Sequence, residues 1–146
     1  MTARNTILDA LLALAASSGP YLTTGRRLML WTQVKAQPAL FLRHTRDAFP
    51  PRPTGMPAKV TMECELWIYS QLGKDKATAP DIGLNDLLDQ VERALLPPPT
   101  QRAQTLGGLC THAWIEGTID LYPGDLDGQA IAVVPVHILV PSIQGS

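Results

Sequence analysis

Charge is scarce in this chain of 146 residues: Asp, Glu, Lys and Arg together make up 17 %, against roughly a quarter in typical soluble domains. The 12 Lys and Arg nearly balance 13 Asp and Glu, so no electrostatic field recommends nucleic acid or an anionic membrane as the main partner. A surface this short of charge suggests assembly with other protein. Aromatic residues are only 5 % and cysteines only two, Cys64 and Cys110, far apart in the chain. That excludes a disulfide scaffold and points to a thiol-state protein of the cytoplasm. No apolar run approaches the roughly 18 residues of a membrane span, and Asp9 interrupts the apolar stretch from Ile7 to Ala16 that a leader peptide would need.

Missing too are the common site signatures. There is no CxxC or HxxxH spacing for a metal. "GKDK" has neither the upstream glycine nor the downstream Ser or Thr of a phosphate loop, and "TLGG" precedes a strand where a phosphate-binding turn precedes a helix. "GLCTHAWIEG" does bring Cys110, His112 and Glu116 within seven positions. Strand alternation puts Cys110, His112, Trp114, Glu116, Thr118 and Asp120 on one face, with same-face neighbours roughly 7 Å apart. A Cys–His dyad also needs a thiolate pocket and an oxyanion hole, for which no signature is present. The expectation is therefore no catalytic residue, no metal and no cofactor. Cys64 reads as a small buried hydrophobe, His137 as a structural or interface histidine, and His44 as a solvated residue at a strand end.

What is present is regular patterning. Thr2 to Ser17 places Ile7, Leu8, Leu11, Leu12, Leu14 and Ala15 at helical spacing before Gly19-Pro20. Tyr21 to Gln37 stays open between loop and short strand. "PALFLRHT" predicts a short strand, followed by a projecting loop at about 46–58 with four prolines between Pro50 and Pro57. "AKVTMECELWIYSQL" alternates, with Val60, Met62, Cys64, Leu66 and Ile68 on one face and Thr61, Glu63, Glu65, Trp67 and Tyr69 on the other. Leu84, Leu87, Leu88, Val91, Leu95 and Leu96 predict a second helix, capped by Asn85 or Asp81 and stopped by Pro97-Pro98-Pro99. A long strand from about Leu109 to Tyr122, a turn at "PGDLDG" and a final strand from Gln129 to Val140 complete a hairpin. The predicted fold is one α+β domain over 1–146, ordered α-β-β-α-β-β, with an antiparallel sheet of about four strands and two helices packed on one face.

The remaining sheet face interleaves aromatics with acids, which reads as a protein interface. Trp67, Tyr69, His112 and Trp114 are its candidate contact residues, since tryptophan is enriched at binding hot spots. Arg26, Arg27 and Trp31 in "TTGRRLMLW", and Phe49, Pro51 and Arg52 in the proline arm, are candidates for reaching a neighbouring subunit.

The blocks "ALFLRHT", "ELWIYSQLGKDKATAPDIGLNDLLDQVERAL", "QTLGGLCTHAWIEGTID" and "GDLDGQAIAVVPVHILV", spread from Ile7 to Val140, resemble the tail terminator and related minor tail proteins of long-tailed bacteriophages and prophages. The resemblance rests on element order and texture and on no catalytic signature. It implies a small α+β subunit that forms a hexameric ring on the head-proximal end of the tail tube, halting tube polymerisation and giving the filled head its docking surface. The partners it implies are further copies of the chain, the tail tube protein and a head-completion or neck protein. DNA would only pass through the lumen, for which Glu63, Glu65 and Glu116 are the candidate lining acids, and no membrane is involved. The implied location is the virion tail, reached from the host cytoplasm. Rival readings are a head-completion or neck adaptor, a small thiol hydrolase using Cys110 and His112, and a peptide-binding module with a groove at Trp114.

Overall fold

In a computed structural model, residues 3–51, 55, 59–71, 82–124 and 128–141 are described. The two longest strands, β3 (Val60–Gln71) and β6 (Gln129–Val140), pair antiparallel from Val60 opposite Val140 to Gln71 opposite Gln129. Their alternation works as the pattern predicts. Met62, Leu66, Ile68, Val134, Val136 and Ile138 all face one side and are fully buried there, while Ala130 and Ala132 keep part of that side thin enough for a helix to approach. The two helices supply the cover. Helix α1 (Ala3–Ala16) buries Ile7, Leu8, Leu11 and Ala15, and α2 (Ile82–Leu95) buries Leu84, Leu87, Leu88, Val91 and Leu95, all in one cluster with the strands.

Both helix ends are closed by side chains. Ser17 and Ser18 donate to the carbonyls of Leu14 and Ala15 at 2.7 and 2.6 Å, which satisfies oxygens that lack an intrahelical donor. Beyond α2, the Gln104 amide donates to the carbonyls of Leu96 and Ala94 at 3.1 and 3.4 Å. Of the two expected N-caps, Asn85 lies inside α2 and Asp81 lies outside the described residues.

The sheet has six strands and is mixed, which corrects the expectation of four antiparallel ones in α-β-β-α-β-β order. Strand β1 (Thr23–Gly25), in the stretch left open by periodicity, pairs parallel with β2 (Ala39–Ala48). Parallel neighbours need a crossover, and the chain from Arg26 to Pro38 provides it. That crossover includes a short 3-10 turn at Trp31–Gln33 and packs Leu28, Met29, Trp31 and Val34 over the helix-free face. Strand β2 pairs antiparallel with β3 and runs well past Thr45, with a bulge between His44 and Arg46. The proline arm therefore starts only after Ala48. Arg52 and most other residues of the arm lie outside the described residues.

The strand expected from Leu109 to Tyr122 is two short ones, β4 (His112–Ile115) and β5 (Asp120–Tyr122), both paired with β6. Pro135 accounts for the break. Its carbonyl accepts from Glu116 N, and since the N and C=O of one strand residue point the same way, its missing N–H faces these strands and leaves the ladder without a donor. Gly117 crosses there at φ +109°, where a Cβ would meet Pro135 Cγ at 3.4 Å. Leu121, placed on the helix side by alternation, is 49 % exposed because β5 lies at the sheet margin. Among the described residues, no helix is long and apolar enough to cross a membrane.

Two glycines of the β5–β6 turn test its geometry. Both have positive φ, but a Cβ at Gly124 would sit 2.7 Å from the Gln129 backbone, whereas one at Gly128 would meet nothing within 4 Å. Gly128→Ala should cost about 1–2 kcal/mol from left-handed backbone alone, and Gly124→Ala measurably more. Urea unfolding midpoints of the two variants check the difference.

Candidate functional site: the helix-free face and its edge cleft

The face away from the helices falls into two halves with different chemistry. At one end Phe41 and Tyr69 pack at 5.6 Å between ring centroids, with Val34 and Ala39, beneath the crossover. Tyr69 is only 3 % exposed, and its hydroxyl donates to the Met29 carbonyl; burial raises its pKa. The face was expected to be uncovered, and at this end it is not. Trp31 and Trp67 both pack against this second cluster, so three of the aromatic candidates serve the subunit's own interior. Periodicity could not reveal this, because the covering segment has no regular repeat.

The other half is polar. One row of register partners crosses four strands: Arg46, Glu63, His137 and Trp114. Arg46 Nε lies 3.4 Å from Glu63. His137 Nε2 lies 3.5 Å from Glu63 Oε1, and its Nδ1 lies 2.9 Å from Glu116 Oε2. An imidazole between two carboxylates donates to both only when it carries both protons, and a neutral ring serves one. Beside this row Arg43 reaches Glu65 at 3.8 Å, and Trp67 Nε1 donates to Glu65 at 3.2 Å. All three candidate lumen acids are thus engaged with a cation or an imidazole, and Glu116 is the most open, with its side chain 58 % exposed.

Trp114 sits between two imidazoles. His112 stacks on it at 5.1 Å and 11°, and His137 meets it edge-on at 5.7 Å. The position of His112 comes from Gln104, a residue that sequence patterning did not single out. Gln104 N donates to His112 Nδ1 at 3.1 Å, which leaves Nε2 as the protonated nitrogen of the neutral ring. The Gln104 carbonyl accepts from Ala113 N at 2.8 Å. The same residue closes α2, so helix end and edge strand are tied through one buried side chain. A cleft of about 390 Å³ opens between them, walled by Leu95, Leu96, Pro97, His112 and Trp114, with Glu92 and Arg102 also in its lining.

Cys110 does not share a face with His112. It precedes β4, in the turn after Leu106, and is buried in the main core, where its Sγ contacts the Gln104 carbonyl at 3.8 Å. Burial pushes its thiol up to about 11, against an opposing contribution from a hydrogen bond with the His112 backbone. Cys64 is buried on the helix side as expected, and burial, aided by Asp47, pushes it up to about 12. His44 is not solvated at a strand end: it lies within β2 with Nε2 2.6 Å from Asp47, which also pairs with Arg4 at 2.9 Å. Arg26 is drawn back to α1, 2.9 Å from Asp9. Arg27, Phe49 and Pro51 are exposed. Among the described residues, no three His, Cys, Asp or Glu are grouped to hold a metal.

A thiol whose folded-state pKa is raised favours folding while protonated, so its contribution is whole below about pH 9 and is lost as pH climbs through the folded-state value. Stability should therefore decline between pH 9 and 11, less steeply in Cys110→Ala, as chemical unfolding at a series of pH values would show. At pH 8 neither thiol of the folded protein should react with iodoacetamide, and both should react in urea.

Scanned against protein-family models the chain matches none, and a search of curated proteins returns no match.

Proposed function

We propose that the chain is a structural virion protein of the tail terminator type, forming a ring, six-membered by the resemblance, on the head-proximal end of a phage tail tube. The ring stops tube polymerisation and offers the surface on which a neck protein and the filled head dock. DNA passes through its lumen without specific binding. Such a protein works by copying part of the tube's docking surface on one side and withholding it on the other, so that the next tube ring finds no template.

The observation that carries this reading is the one-sided cover of the sheet. The helices bury the middle of one face, and the crossover closes only the Phe41–Tyr69 end of the other. At the opposite end, among the described residues, no strand pairs with the outer edge of β2 beyond Phe41, the polar row lies outside the crossover's cluster, and Phe49 is exposed. Thiol chemistry draws no support from a buried Cys110 directed at a backbone carbonyl. A head-completion or neck adaptor, which is also a ring, is the reading nearest in kind. The cleft beside Trp114 gives the peptide-binding reading its one specific observation.

On the tail terminator reading, Glu116 is the acid best placed to keep passing DNA from adhering, because Glu63 and Glu65 have arginines beside them. Tight binding of DNA by the assembled ring would refute that detail.

The test is to add the purified chain to polymerising tail tube protein and measure tube lengths by negative-stain microscopy. Shorter tubes of fixed polarity with an extra ring at one end are expected. Unchanged tube lengths, together with binding to portal-bearing heads that lack tails, would replace this reading with the neck adaptor.

A further inference from the structure

We infer that the cleft between α2 and β4 receives Phe49 from a second copy of this chain, in a head-to-tail contact. Phe49 is 64 % exposed and Leu96, at the cleft mouth, is 62 % exposed. Both belong to the large apolar side chains exposed among the described residues, and each is what the other lacks. The cleft wall is already built: His112 and His137 clamp Trp114, and Gln104 fixes both His112 and the end of α2. An incoming ring therefore meets a preformed apolar site and orders little on arrival.

Position sets the symmetry. Ala48, Thr61, Leu139 and His112 form one row across the sheet. The strand leading to Phe49 and the strand walling the cleft thus lie at the same end of the sheet but on opposite edges, three strand spacings or roughly 14 Å apart. A surface at one edge that fits a different surface at the other makes a heterologous contact, which repeats around an axis and gives a ring where the rotation closes. Charge agrees. Arg43 and Arg46 of the same strand are set against Glu65 and Glu63, and Asp47 against Arg4 and His44, which leaves the exposed Lys59 in excess towards the arm. On α2 the exposed Asp86, Asp89 and Glu92 outnumber Arg93, and of these acids Glu92 lines the cleft together with Arg102. Like ends repel and unlike ends attract, which favours head-to-tail docking over a symmetric dimer.

This contact rests on the ring reading and gives that ring its subunit joint. Phe49→Ala and Leu96→Arg alter exposed side chains, so each variant should fold as the wild type does. Native mass spectrometry over a dilution series should show each weakening self-association about 30-fold, the size of a hot-spot loss. Mixed together, the two variants retain one intact Phe49 and one intact cleft per pair. The mixture should therefore give 1:1 dimers and nothing larger.

Wild-type-like rings from both variants would overturn this contact and leave the ring reading standing, as would a mixture that stays monomeric while the wild type assembles. Assembly gained on deleting residues 142–146 would assign the cleft to the chain's own C-terminal segment instead. A wild-type chain that is monomeric both alone and with tail tubes would remove the ring reading and this joint together.

Discussion

The antiparallel pairing of β3 with β6 is the interaction on which everything else in the subunit hangs. It runs without a register break from Val60–Val140 to Gln71–Gln129, so each residue of the two strands is committed to one face. A slip of one position would turn every apolar side chain from the helices to the opposite face. Strand β2 is then placed by β3, and β4 and β5 by β6. The row Arg46, Glu63, His137 and Trp114 exists because these registers coincide. No local sequence signal makes it.

A second constraint is exercised by Gln104. Its side chain satisfies carbonyls at the end of α2 and accepts from Leu106 N, while its backbone holds His112 and Ala113. A buried amide that lost one of these partners would cost about 1–3 kcal/mol in unmade hydrogen bonds. Helix end, connecting turn and edge strand consequently move as one unit, and the cleft between them keeps its shape without a ligand. Pro135 acts in the opposite sense, by withholding a donor. It splits the strand opposite, and the resulting bend at Gly117 carries Glu116 to His137.

These constraints give the subunit a dry side, a half-covered side and two unlike edges. Five of its charged side chains, Arg43, Arg46, Glu63, Glu65 and Glu116, stand in cross-strand contacts on the half-covered side, where matching sign supports the register. Neither thiol is presented to solvent. Phe41 and Tyr69, which on a bare sheet would have been an adhesive patch, are used internally under the crossover.

Much of this was legible in the order of residues. Helix faces, the burial pattern of β3 and β6, the stop at Pro97 and the turn before Gln129 all follow from local periodicity and backbone chemistry, because each depends on residues within a few positions of one another. The crossover over the helix-free face, the parallel pairing of β1, the break at Pro135 and the inward turn of Cys110 were not legible. Each depends on which strand lies alongside: a proline interrupts a neighbour only if its N side faces that neighbour, and an irregular segment covers a face only if the sheet order leaves room. Of the site, the polar and aromatic residue types of His112, Trp114 and Glu116 could be read in advance, whereas their meeting with His137, Glu63 and Gln104 belongs to the assembled sheet. Periodicity decides which side of a strand a residue occupies, and only long-range pairing decides what stands beside it.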